Sequence, residues 1–107
     1  MIKYAVDFNL SVNDSKLSTC AFSFSDIEMA HKFYDLLTDI DGLSDEDIEL
    51  QIGEAFSYCM SNYDKYFTNI ENLYYFEDNK KYFKYENEIY QVINENEIQI
   101  NGFYIEE

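Results

Sequence analysis

Eight carboxylates fall within residues 35–54, namely Asp35, Asp39, Asp41, Asp45, Glu46, Asp47, Glu49 and Glu54, with no Lys among them and no Arg anywhere in the chain. Carboxylates gathered this densely can coordinate a divalent cation, serve metal-assisted hydrolysis, or attract a positively charged partner. Calcium fits poorly. A helix-loop-helix calcium site needs oxygen ligands at loop positions 1, 3, 5 and 12 with Gly at position 6. Setting Gly42 at position 6 puts Leu37 at the first position and Ile48 at the twelfth. Phosphoryl chemistry calls for Lys or Arg beside the carboxylates to stabilise the transferring group, and no cation lies in the segment. A loop site or enzyme built on Asp39 and Asp41 is the competing reading, and calorimetry with calcium, magnesium or manganese tests it.

Other catalytic constellations are missing from the sequence. His31 is the only histidine, which excludes a multi-histidine metal centre, and it falls toward the polar side of its helix. No nucleophile elbow, phosphate-binding loop, dinucleotide fingerprint or Cys-His arrangement is visible. The expectation is a protein that is not an enzyme, with no catalytic residue, no metal ligand set and no cofactor. Recognition remains: Asp35, Asp39, Asp41, Asp45, Glu46, Asp47, Glu49 and Glu54 as a surface for a basic protein, with Leu50 among them. On a helical wheel Leu50 points away from the apolar face, into the acidic arc and beside Gly53, Ser57 and Ser61, where it reads as a binding anchor. It could instead meet the C-terminal strands, and lone exposed leucines are common. Acids in a helix's first turn also favour the positive end of its dipole by about 0.3–1 kcal/mol each. That accounts for Asp45, Glu46 and Asp47 but not for the other five.

The elements that must hold these residues follow from periodicity. Ile2, Tyr4, Val6, Phe8 and Leu10 alternate with polar residues, the period of a strand with one buried face. Asn13, Asp14 and Ser15 supply a turn, and residues 17–24 bring Cys20, Phe22 and Phe24 onto one face, completing a hairpin. At Ser25 the period changes: Ser25 with Glu28 forms a capping box, followed by Ala30, Phe33, Tyr34 and Leu37 at helical spacing. The first helix is predicted over residues 26–38. A short connection, residues 39–43, leads to Ser44 and Asp47, a second capping box. Ile48, Ile52, Ala55, Phe56, Cys59, Tyr63, Tyr66 and Phe67 share one third of a wheel, which predicts a second helix from Asp45 to the mid-sixties, its outward arc carrying Glu46, Asp47, Glu54 and Asp64 with Glu49 at the margin.

Beyond that helix, β-like runs return at residues 73–76, 81–85, 89–93 and 97–105. They are divided or interrupted by the turn signals Asp78-Asn79, Glu86-Asn87, residues 94–96 and Asn101-Gly102. The predicted fold is α+β: an antiparallel sheet, made of an N-terminal hairpin and a C-terminal meander, with two consecutive helices packed on one face. The 107 residues make one domain, and with 47% hydrophobic and 19% aromatic residues the chain has enough apolar area to fold despite a formal net charge of -15.

No run approaches the length of a membrane span and the first ten residues lack the pattern of a signal peptide, so a cytoplasmic protein is expected, with no membrane partner, as monomer or homodimer. Cys20 and Cys59 are expected to be reduced core thiols. Abundant Asn, Ile, Tyr and Phe with no Trp and no Pro point to an AT-rich genome, bacterial or phage. The aromatics Tyr74, Tyr75, Phe76, Tyr82, Phe83, Tyr85, Tyr90, Phe103 and Tyr104 would offer stacking platforms for single-stranded nucleic acid, but such platforms need a basic groove. Residues 77–107 carry eight acids against Lys80, Lys81 and Lys84, a net -5 that opposes direct nucleic-acid binding.

Small size, strong acidity, an α+β pattern and carboxylates clustered on a helix and its preceding loop together resemble the small acidic inhibitors encoded by phages and mobile elements, DNA-mimicking anti-CRISPR proteins among them. That resemblance is compositional and rests on no alignable motif. It implies that the carboxylates stand in for phosphates and occupy the basic groove of a nuclease or CRISPR effector. The same features resemble bacterial immunity proteins, which neutralise a toxin nuclease; an acidic interaction module with no inhibitory role is a further alternative.

Overall fold

A computed structural model of the chain describes residues 2–12, 16–93 and 99–101, with side chains at all of these except 10–12, 16–18 and 99–101. Strand β1 (Ile2–Val12) pairs antiparallel with β2 (Lys16–Phe24), and helices α1 (Ile27–Thr38) and α2 (Asp45–Asn62) follow. The chain continues through β3 (Lys65–Thr68), a 3₁₀ turn (Glu71–Leu73), β4 (Tyr74–Glu77), β5 (Lys80–Tyr85), β6 (Glu88–Val92) and β7 (Gln99–Asn101). The α+β class and the two helices on one sheet face are as the pattern implies.

Local chemistry explains the boundaries. Asp26, rather than Ser25, caps α1: its side chain accepts from the Glu28 backbone N–H at 2.9 Å. Ser44 caps α2, its hydroxyl accepting from Asp47 N–H at 3.2 Å. The two tight turns Asp78-Asn79 and Glu86-Asn87 have both central residues at positive φ, between 50° and 67°, the conformation that matches the right-handed twist of a two-residue hairpin. The turn at residues 13–15, the turn at 94–96, Gly102 and most of the 97–105 run lie outside the described residues.

The sheet departs from an all-antiparallel plan. Its order is β3-β2-β1-β6-β5-β4, and β1 pairs in parallel with β6 through Ile2↔Ile89 to Ala5↔Val92, then with β7 through Asn9↔Gln99 to Ser11↔Asn101. The meander β4-β5-β6 therefore docks sideways on the hairpin, and β7 joins β1 instead of extending the meander. Neighbouring strands sit about 4.8 Å apart, so a ring on β3 and one on β5, four steps away, would be about 19 Å apart in a flat sheet. Phe67 on β3 and Phe83 on β5 instead have centroids 5.2 Å apart. The sheet curls strongly, and Ala5 and Ala21 at its centre leave room for Phe67, Phe83 and Tyr90 to meet over them.

Both faces of β1 are consequently buried, not one. Val6 and Phe8 join Phe22, Phe24, Phe33, Phe56 and Cys59 under the helices, while Ala5 belongs to a second core with Ala21, Phe67, Ile70, Phe83, Tyr90 and Val92. Residues 69–73 carry the chain from one edge strand, β3, to the other, β4, and Ile70 from this link is buried in that second core.

Helix α2 stops earlier than its apolar stripe implies. The Tyr63 N–H donates to Cys59 O at 2.8 Å as the terminal helical bond, after which Asp64 N–H donates to Ser23 O at 2.7 Å and Lys65 N–H to Ser23 Oγ at 3.1 Å. Pairing with β2 overrides the helical period. The adjacent Tyr66 and Phe67 then fall on opposite sheet faces, Tyr66 stacked on Phe22 at 4.9 Å and Phe67 in the second core.

Candidate functional site

Asp35, Asp39, Asp41, Asp45, Glu46, Asp47, Glu49, Leu50 and Glu54 are all exposed. Asp35 lies on α1, and Asp39 is its C-terminal cap, whose N–H donates to Asp35 O at 2.8 Å. Asp41 sits in the turn made possible by Gly42, at φ +80°. Asp45, Glu46 and Asp47 form the first turn of α2, where the helix dipole favours them. Gln51 fixes this arrangement from α2: its Nε2 donates to Leu36 O at 3.0 Å and Asp39 O at 2.7 Å, satisfying carbonyls at the end of α1. Nothing in the helical pattern singles out Gln51, because the contact runs between helices.

Five of the eight acids line one of two open grooves, whereas Asp41, Asp45 and Asp47 line neither. Asp35 and Asp39 share an open groove with Glu28, His31, Lys32, Leu36 and Gln51. Lys32 there lies over the Tyr58 ring, 4.7 Å from its centroid, and offsets part of the local negative charge. Glu46, Glu49 and Glu54 border a second open groove along α2, lined also by Leu50, Gly53 and Ser57. Among its described lining residues there is no cation. Leu50 is 68% exposed within it, so its side chain is not absorbed by the described part of the fold. From Glu46 to Glu54 the helix advances about 12 Å and carries four carboxylates, Glu46, Asp47, Glu49 and Glu54. One strand of duplex DNA presents three or four phosphates over about that length of axis.

The ion-paired lysines lie elsewhere. Among the described residues the ion pairs are Lys81–Asp7 at 2.9 Å, Lys3–Glu88 at 3.2 Å, Lys65–Glu88 at 3.7 Å and Lys3–Asp64 at 3.9 Å. None involves an acid of residues 35–54. Asp64, expected on the outward arc of the second helix, instead follows its end and meets Lys3.

Two polar clusters outside the acidic segment were not legible in sequence. Asp7, 5% exposed, accepts at Oδ2 from the Tyr74 hydroxyl at 2.6 Å and from Lys81 Nζ at 2.9 Å, while that ammonium also lies 3.9 Å from the Tyr74 ring centroid. Burial and the bond to Asp7 push the Tyr74 phenol well above the usual tyrosine range. Glu88 accepts from the Tyr90 hydroxyl at 2.8 Å; that bond and the nearby Lys3 hold its carboxyl below the usual range, while burial and Glu88 push the Tyr90 phenol up. Both clusters tie strands together. Asp7 stands on the polar side of the β1 alternation, and only the curled sheet buries that side.

The thiols Cys20 and Cys59 lie in the core under the helices, and burial pushes the Cys59 thiol up, away from the reactive thiolate. Among the described residues no group of three or more His, Cys, Asp and Glu side chains could hold a metal ion, and no helix is long and apolar enough to cross a membrane. Of the aromatics from Tyr74 onward, Phe83 and Tyr90 are buried, whereas Phe76 stands 67% exposed on the edge strand β4; Phe103 and Tyr104 lie outside the described residues. No family model, curated protein or solved structure matches the chain.

Proposed function

We propose that this protein is a non-enzymatic acidic inhibitor that binds a basic nucleic-acid-binding protein, a nuclease or a CRISPR effector, through carboxylates that take the place of phosphates. The observation that carries this reading is the joint exposure of all eight acids of residues 35–54, without an ion pair among the described residues, three of them, Glu46, Glu49 and Glu54, bordering the groove that holds the exposed Leu50. An unpaired acidic surface projects its field into solvent, raises the encounter rate with a basic groove, and loses that advantage as salt screens it. Occupying the groove would keep nucleic acid out by the same electrostatics that normally admit it.

Converting Asp45, Asp47 and Glu54 to Lys tests the proposal. Each side chain is exposed, and the cap on α2 comes from Ser44 to a backbone N–H, so the circular dichroism spectrum is expected to stay native. Binding to the basic partner should be abolished at physiological salt. Full binding by the triple variant would refute the reading.

A further inference from the structure

Asp7 on β1 and Lys81 on β5 are separated by 74 residues in the chain and by strand β6 in the sheet, yet the curl brings Lys81 Nζ to 2.9 Å from Asp7 Oδ2. The same oxygen accepts from the Tyr74 hydroxyl at 2.6 Å, and the ammonium rests 3.9 Å from the centroid of that ring. An amine, a carboxyl group and a proton donor to one carboxyl oxygen thus meet at a point where Asp7 is almost fully withdrawn from water. The other ion pairs among the described residues, Lys3–Glu88, Lys65–Glu88 and Lys3–Asp64, are longer and join side chains that are 30–44% exposed. Close contact and burial coincide only at Asp7 and Lys81.

We propose that Asp7 and Lys81 condense to an isopeptide bond, by which the protein staples its own sheet. The ammonium first passes a proton to Oδ2, which removes both buried charges and frees the nitrogen lone pair. Burial favours this neutral pair, because withdrawing two ions from water is costly. Nζ then attacks the carboxyl carbon. The Nζ–C bond forms, the C–Oδ2 bond breaks, and Oδ2 departs as water with two of the three ammonium protons, while the third stays on the amide nitrogen. No oxidant, nucleotide or other co-reactant is consumed. Tyr74 is the catalytic residue of this step: its phenol, which burial keeps protonated, donates to Oδ2 and assists the departure of that oxygen. Bulk water opposes amide formation, but groups held in contact by a fold act at effective concentrations of about 10⁵–10⁸ M, far above that of water itself. The product ties the hairpin to the meander across their parallel β1–β6 junction. It leaves the acidic helices untouched, so the proposal is independent of the acidic-inhibitor reading.

Intact-mass spectrometry of the folded chain, held at neutral pH for days, tests the proposal. The mass is expected to fall by one water, and a tryptic digest should yield residues 4–16 joined to residues 81–84 through an uncleaved Lys81. Lys81→Arg keeps the charge but should retain the full encoded mass with a native circular dichroism spectrum. Tyr74→Phe should slow the conversion at least tenfold while the spectrum stays native, which separates its chemical role from a structural one. The chain held in urea should not convert. A folded parent that keeps its full mass overturns the proposal, as does conversion at the same rate in urea or in Lys81→Arg. Water loss that maps to residues 33–65 would instead be an imide at Asp41-Gly42, and overturns it equally.

Discussion

The curled sheet and the helical layer treat their carboxylates in opposite ways. On the sheet side Asp7 is buried against Lys81 and the Tyr74 hydroxyl, and Glu88 is shared by Lys3, Lys65 and the Tyr90 hydroxyl. On the helical side eight acids stand in solvent, and none of the ion pairs among the described residues reaches them. A net charge of -15 with only seven Lys is thus not spread evenly: three of those Lys hold strands together, and the helix face keeps its charge. The difference separates acids that stabilise the fold from acids available for a partner.

Removing the cation on the paired side should have the largest effect. Lys81→Ala leaves the buried Asp7 carboxylate without its ammonium, and breaking a buried pair costs about 3–5 kcal/mol; urea denaturation measures it. A loss below about 1 kcal/mol would mean that Asp7 is solvated like the helix acids, and the contrast would fail. Next is Tyr74→Phe, which takes one hydrogen bond from a charged acceptor, worth about 1.5–3 kcal/mol.

The same region gives the protein an alkaline limit. Tyr74 and Tyr90 both titrate above the ordinary phenol range in the folded state, so the unfolded chain loses these protons first. Their contribution is fully present below about pH 10 and declines as pH rises beyond it. Thermal melts from pH 8 to 11 should show this decline, and Tyr74→Phe should flatten it. Glu88 acts at the other end: its carboxyl is held below the ordinary range, so its contribution is present above that range and is lost as pH falls through the lowered value.

On the helical side the expected changes are small or of opposite sign. Gly53→Ala should stabilise the fold by about 0.5–1 kcal/mol, since no atom of the described residues opposes the added methyl. Asp41→Asn, in the exposed turn before α2, should change stability by no more than about 0.5 kcal/mol. A destabilisation of several times that size would show Asp41 to be a structural acid like Asp7.

Much of this division was visible in the sequence where one period dominated. The exposure of Glu46, Asp47, Glu49, Glu54 and Leu50 followed from the helical wheel and that of Asp39 and Asp41 from their place in a connection, because α1 and α2 bury single stripes, Ala30, Phe33 and Leu37 on one and Ala55, Phe56 and Cys59 on the other. The turns at Asp78-Asn79 and Glu86-Asn87 were legible from their residue types. What stayed hidden depends on long-range pairing. Residues 65–68 continue α2's stripe in sequence yet pair with β2, and their apolar side chains suit either element. The parallel docking of β6 on β1 has no local signature, and Asp7 looks solvent-facing until the sheet curls over it.

The most direct measurement compares retention of a basic nucleic-acid-binding protein from bacterial lysate on the native chain and on the variant with Asp45, Asp47 and Glu54 changed to Lys, with duplex DNA added as competitor. The native chain should retain the protein at low salt, the variant should not, and DNA should displace it in proportion to concentration. Retention that survives both the charge reversal and saturating DNA would contradict the account.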